Sequence, residues 1–271
     1  MKILACDTSN KACSSCLWED GKRVDVRFRN DGLTHSQTFM PQVHDLMEAN
    51  HMDYAELDAV ASTVGPGSFT GIRIGVSAIK TMALVAEKPA IPVSSLRALA
   101  WPCRKEEALV LAMIDCRNQR AWVAGFLHDK EVLRERADNV TEIAKKVEAW
   151  RTEYAAKKDV KPEEVRILTV GNGGRMLADV MRGVEVREDA DEIRAESVAE
   201  IAESIALAKL AEAKQAGASE EGVATLYEIF PPAALMPVYR AKTQAERTAK
   251  EQGKDTQNIP IKYYSTTELE K

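Results

Sequence analysis

A chain of 271 residues, 45% hydrophobic and 29% charged, has enough apolar sequence for one large core or two modest ones, and two lobes are expected. Its net charge of -5 weighs against a protein that grips nucleic acid unaided, because neutralising phosphates needs a basic surface; a role beside a basic partner stays open. No stretch of 18 apolar residues occurs and Asp7 comes too early for a signal sequence, so the expectation is a cytoplasmic protein without membrane contact.

Lys2 to Thr8 is nearly continuous apolar sequence and reads as a buried central strand ending in Asp7-Thr8-Ser9. Ala12 to Trp18 makes a second strand, and Glu19-Asp20-Gly21-Lys22 a hairpin turn. Val24, Val26 and Phe28 then alternate with charged residues, the pattern of a strand with one wet face. Five cysteines, three of them crowded at Cys6, Cys13 and Cys16, argue for a reducing compartment rather than a disulfide framework. On a strand, Cys13 and Cys16 fall on opposite faces and read as small core residues.

Between His35 and Asn50, Phe39, Met40, Val43, Leu46 and Met47 recur at helical spacing, with Pro41 placed in or near the first turn. A strand from Ala59 to Val64 then runs into Gly65-Pro66-Gly67-Ser68-Phe69-Thr70-Gly71-Ile72-Arg73-Ile74-Gly75. Two glycines around a proline permit a sharp turn, and Ser68 holds an N-cap place before a long apolar pattern to Ala86. Such a helix start is either an anion site or a well-capped turn with no ligand; a Walker-type phosphate loop is excluded, since neither its glycine spacing nor its lysine is present. Gly71, Gly75 and Ala78 put small residues at helical spacing beside Ile72, Val76 and Ile79. Either a neighbouring helix of this chain or another protein packs closely there. A short strand Ala90 to Val93 and a helix from Leu96 complete the order of a ribonuclease-H-like lobe.

The second half opens with two strands, Ala108 to Ile114 and Ala121 to Leu127, around the polar turn from Asp115 to Arg120. A helix through Val140, Ile143, Val147, Trp150 and Tyr154 follows, then a strand Val165 to Val170 running into Gly171-Asn172-Gly173-Gly174, and a last long helix ending near Gly217. From Pro231 the composition turns polar and charge-mixed, and this tail is expected to be extended or disordered.

Ile3-Leu4-Ala5-Cys6-Asp7-Thr8-Ser9, the Gly65 to Gly75 stretch, Pro92-Val93-Ser94-Ser95-Leu96 and Asp115-x-Arg117 resemble, in the same order, the TsaB family, also called YeaZ. The resemblance is fullest over residues 1–127. It implies an α/β, two-lobed fold of the actin-like, sugar-kinase and Hsp70 (ASKHA) kind with mixed sheets: a ribonuclease-H-like lobe over 1–104, a smaller lobe over 105–230 and a tail over 231–271. It also implies a non-catalytic accessory subunit in making N6-threonylcarbamoyladenosine at position 37 of tRNA. In that family TsaB pairs with its catalytic paralogue TsaD, and the ATPase TsaE joins them. The resemblance implies no cofactor of its own, with ATP or ADP expected at the complex interface, tRNA met only within the complex, and either a homodimer or a monomer when the subunit is isolated.

The family's pairing surface maps onto Phe39, Met40, Val43, Leu46 and Met47 of the first helix and Gly71, Ile72, Gly75, Val76 and Ile79 of the second. The alternative is that both stripes cover their own sheet. Asp7, Thr8, Ser9, Gly67 and Ser68 form the candidate anion or nucleotide contact, with capping of local backbone as the other reading of Asp7. Where TsaD relatives carry metal-binding histidines, this chain reads Ser94-Ser95-Leu96-Arg97-Ala98-Leu99. Its histidines, His35, His44, His51 and His128, show no ligand-pair spacing, though His44 and His51 are placed on one helix face, so neither a metal nor metallopeptidase chemistry is expected. The rival reading is an ATP-dependent small-molecule kinase of the same superfold, with Asp7 and Asp115 as acidic groups and Gly171 to Gly174 as its second phosphate loop. Near the C-terminus Pro237-Val238-Tyr239-Arg240 lacks the leucine that the family often shows after the tyrosine, and the tail beyond Lys242 is longer than expected.

Overall fold

The computed structural model describes residues 1–32, 34–217 and 222–238. Strands β1 (Lys2–Asp7), β2 (Cys13–Glu19), β3 (Lys22–Arg29), β4 (Ala59–Gly65) and β5 (Ala90–Ser94) form one sheet in the order β3-β2-β1-β4-β5. β1 runs antiparallel to β2 and parallel to β4. A second sheet repeats the plan as β10-β9-β6-β7-β8, with β6 (Leu109–Asp115), β7 (Arg120–Leu127), β8 (Lys130–Asn139), β9 (Ile167–Val170) and β10 (Val184–Arg187). Again the central strand β6 pairs antiparallel on one side and parallel on the other. This duplication of a ribonuclease-H-like sheet is the two-lobed ASKHA architecture.

Period-two alternation divides the apolar residues among three cores. On β1, Leu4 and Cys6 face an outer core with helices α1 (His35–Ala49) and α2 (Phe69–Ala86), while Ile3 and Ala5 face the interior between the sheets. On β6, Leu109, Leu111 and Met113 face helices α4 (Val140–Lys158) and α5 (Gly174–Ala178), while Val110, Ala112 and Ile114 join the same interior. Cys13 and Cys16 split between outer and inner cores, as their spacing requires. Burial pushes both thiols up to about 12, which leaves them unreactive small apolar residues.

The interior core is shared by both lobes, which corrects the expected division of the chain. Helix α3 (Ser95–Ala100), from the first lobe, lies against β6 and β7; helix α6 (Ala195–Gln215), from beyond the second sheet, lies against β1, β2 and β5. Helix α7 (Gly222–Ile229) packs on α6, and the 3-10 turn Pro232–Ala234 on α2. Residues after Ala195 therefore return to the first sheet instead of completing a lobe that runs to residue 230. The tail was expected to begin at Pro231, yet Leu235 and Val238 are buried in the α1–α2 core. Residues 239–271, where the rest of that expectation falls, lie outside the described residues.

Glu203 on α6 secures the return. Its carboxylate accepts from Trp18 Nε1 at 2.8 Å and from the Gly21 N–H at 3.1 Å, tying α6 to the β2–β3 hairpin. Arg194 stacks its guanidinium over Phe28 on β3, 3.7 Å from the ring centre, and the Ala195 N–H donates to Ser14 Oγ at 2.9 Å. β5 is an edge strand protected by sequence: Pro92 has no N–H to offer, and the Ala90 N–H is taken by the Phe230 carbonyl at 3.0 Å.

Candidate functional site

The end of β1 and the start of α2 meet as expected, but they interlock instead of opening a cradle. Ser68 caps α2 by accepting from the Gly71 N–H at 3.2 Å. The Ser68 N–H donates to the Ser9 carbonyl at 2.7 Å, so the loop after β1 occupies the place expected for an anion. Thr8 Oγ1 donates to the Gly71 carbonyl at 2.8 Å. A Cβ at Gly67 would come closer than 3.0 Å to the Ser9 carbonyl, one at Gly71 to the Thr8 carbonyl, and one at Gly75 to Thr8 Oγ1. The small residues of α2 therefore admit this chain's own β1 loop, which corrects their reading as a seat for a partner helix.

Asp7 is fully buried. Its Oδ1 accepts from the Ser9 N–H (3.2 Å), Ser9 Oγ (2.6 Å) and Thr63 Oγ1 (2.5 Å), while Oδ2 is buried with no hydrogen-bond partner among the described residues. Burial raises the carboxyl above its ordinary range, against those bonds, which favour the charged form. A raised carboxyl contributes its stability while protonated and loses it as pH climbs through the folded value. Asp7→Asn keeps the acceptor oxygen and cannot ionise, so it is expected to melt higher than the parent at pH 8. The gain should shrink as pH falls to about 4, where ordinary carboxyls protonate. Melting curves at both pH values check this; a loss at pH 8 that disappears near pH 4 would show instead that the charge itself is required.

The expected interface residues divide. Phe39, Val43, Leu46 and Met47 on α1, and Gly71, Ile72, Gly75, Val76 and Ile79 on α2, are buried in their own lobe, so for these positions the reading in which the stripes cover their own sheet is the correct one. Of the expected list, only Met40 is exposed, at 43%. The outward apolar residues that the sequence reading passed over are Phe69 (40%), Leu84 (48%) and Val85 (81%) on α2. The missed signal is that α2 is apolar nearly all round, more than one buried stripe requires. It is long and apolar enough to cross a membrane by length and composition, but its inner face packs on the first sheet and only a third of it is buried. Pro41 sits in the second turn of α1, not the first, and α1 ends at Ala49, so His51 does not share a helix face with His44. His35 Nε2 donates to the Asn10 carbonyl at 2.8 Å.

Gly171 to Gly174 is packed against the second sheet. The Gly173 N–H donates to the Met113 carbonyl (3.1 Å), the Gly171 N–H to the Ala190 carbonyl (2.9 Å), and Asn172 Oδ1 accepts from the Asp115 N–H (2.9 Å). These groups are committed within the lobe, so the turn is not the open phosphate loop that the kinase reading needs. Beside it, Arg117, Asn118 and Gln119 hold three successive left-handed backbone conformations, with φ of 67°, 55° and 57°. Asp115 Oδ1 steadies them by accepting from the Arg117 N–H at 2.7 Å.

Fold and site together define a two-lobed ASKHA protein whose β1 loop is locked onto α2 and whose α1–α2 pair keeps an apolar outer side. The family model described as TsaD, tRNA N6-adenosine threonylcarbamoyltransferase, matches residues 32–254. The tRNA threonylcarbamoyladenosine biosynthesis protein TsaB of Escherichia coli K12 is 40% identical over 134 residues, 48% of this chain and 57% of that protein. The Bacillus subtilis 168 protein of the same name is 32% identical over 135 residues, 50% of this chain and 59% of that one. The chain thus spans a little over half the length of these curated relatives. The solved structure of YeaZ from Pseudomonas aeruginosa superposes with a TM-score of 0.60 at 24% identity, covering 88% of this chain and 99% of that one, and shares the fold. The match to that family model over most of this chain shows that the chain belongs to the TsaD family the model describes, and its similarity to proteins named TsaB covers about half of it.

Proposed function

We propose that this chain is a non-catalytic accessory subunit in tRNA threonylcarbamoyladenosine biosynthesis, and that it pairs through the outer side of α1 and α2 with a catalytic partner of the TsaD kind. The observation that carries the reading is the exposed apolar set Met40, Phe69, Leu84 and Val85 on two adjacent helices. Large apolar side chains left in water on neighbouring helices are what a partner covers. Kinship to proteins named for this biosynthesis supplies the pathway. A TsaE-type ATPase joining the pair, ATP or ADP at the interface, tRNA met only in the complex, and a homodimer through the same face when the partner is absent belong to the same proposal.

The test is co-elution with the cognate TsaD-like protein, paired with threonylcarbamoylation of unmodified tRNA. Activity is expected to need both proteins. Val85→Asp together with Met40→Asp should raise the Kd about 30-fold or more, the effect of losing a central apolar anchor, and leave the melting temperature of the isolated chain unchanged. Undiminished pairing by this variant would remove α1–α2 as the interface.

A further inference from the structure

A groove of about 500 Å³ opens between the C-terminal part of α6, the end of α7 and the β5 edge. Ala213 and Ala216 form one wall, Ile229 and Pro92 the other, and Leu235 the floor; Lys209 and Glu212, paired at 2.9 Å, stand on the rim. Ile229, the last residue of α7, is 37% exposed, whereas Leu226 on the same helix is buried. Alanine walls leave width for large side chains brought from elsewhere. We propose that this groove is the docking site for Ile259-Pro260-Ile261-Lys262-Tyr263-Tyr264 of the same chain. The proposal is independent of the function proposed above.

Three observations choose this occupant. The described residues end at Val238, whose N–H donates to the Val64 carbonyl at 2.8 Å, only three residues after Leu235 in the groove floor. Residues 242–258 are polar and charge-mixed, and the first apolar, aromatic run beyond them is Ile259 to Tyr264. About 20 residues of tether reach roughly 70 Å at most, enough to return to the groove, and hold the segment at millimolar effective concentration. Lys262, inside the run, would join Lys209 as a second donor to the Glu212 carboxylate on the rim. Because Pro92 lacks an N–H and the Ala90 N–H is already bonded to Phe230, the segment would dock by its side chains and not as an added strand.

Hydrogen exchange of the full chain is compared with that of a chain ending at Gln257 and with full-length Ile261→Asp. Amides at Ala213 to Ala216 and in α7 are expected to exchange about ten-fold faster in both variants. A synthetic peptide of residues 257–266 added to the shortened chain should restore protection and bind by fluorescence anisotropy, whereas the Ile261→Asp peptide should do neither. Unchanged exchange in both variants overturns the proposal. So does protection that appears only when a TsaD-like partner is added, or that changes with protein concentration, since the occupant is then a partner or a second copy.

Discussion

Gly71→Ala is expected to destabilise the protein by about 3 kcal/mol, the upper end for forcing a methyl into a packed site. For a chain of this size that lowers the melting temperature by roughly 6–12 °C. The sign is the informative part. By helix propensity alone alanine gains about 1 kcal/mol over glycine in a helix interior, so a reading of α2 as an ordinary helix expects stabilisation. The opposite follows from the position of the β1 loop: the new Cβ would press on the Thr8 carbonyl, a backbone atom that cannot swing aside, and would disturb the bond from Thr8 Oγ1 to the Gly71 carbonyl. Ser77→Ala, on the exposed side of the same helix, should stay within about 0.5 kcal/mol. Thermal and urea melts of the two variants decide the matter, and a stabilised Gly71→Ala protein would mean that the β1 loop does not lie against α2. Gly75 faces Thr8 Oγ1 in the same way, so a bulky residue there disrupts the fold of the lobe and its effect on pairing says nothing about the interface.

The lobe order, the strand faces and the meeting of Asp7, Thr8, Ser9, Gly67 and Ser68 were legible because each rests on local periodicity or on a turn chemistry that few residues satisfy. What lay beyond reach depends on contacts distant in sequence. Small residues at helical spacing announce a close approach but not its author, and here it is a loop some 60 residues earlier. A stripe such as Phe39, Val43, Leu46 and Met47 looks the same whether a sheet or a partner covers it, and its burial reveals the sheet. The outward set on α2 is hidden in the sequence by the stronger buried stripe of the same helix. The left-handed run from Arg117 to Gln119 carries no glycine to mark it, and each such residue costs of order 1–3 kcal/mol that the surrounding bonds must offset. Helix α6 shows an amphipathic pattern but not which sheet it serves, so the return of the chain to the first lobe appears only in three dimensions.

Glu203→Ala tests that return. The substitution leaves two donors, Trp18 Nε1 and the Gly21 N–H, without their acceptor. Trp18 is only 7% exposed, so water cannot readily replace the carboxylate at the indole. An abandoned buried donor costs about 1–3 kcal/mol, and with the half-exposed hairpin amide the expected loss is about 3 kcal/mol. Glu203→Gln retains one oxygen but turns an NH2 toward the second donor, and should lose about half as much. Trp18→Phe removes the indole donor while keeping a ring in the core, so a double-mutant cycle with Glu203→Ala isolates the bond, with a coupling of about 1–2 kcal/mol expected. Hydrogen exchange supplies the structural readout. If α6 is held on the first sheet by this carboxylate, protection should fall in the β2–β3 hairpin and the N-terminal half of α6 together, while the second sheet keeps its own. A variant that melts within 0.5 kcal/mol of the parent, with both segments still protected, would leave the shared interior core and the Arg194–Phe28 stack as the sufficient anchors of α6.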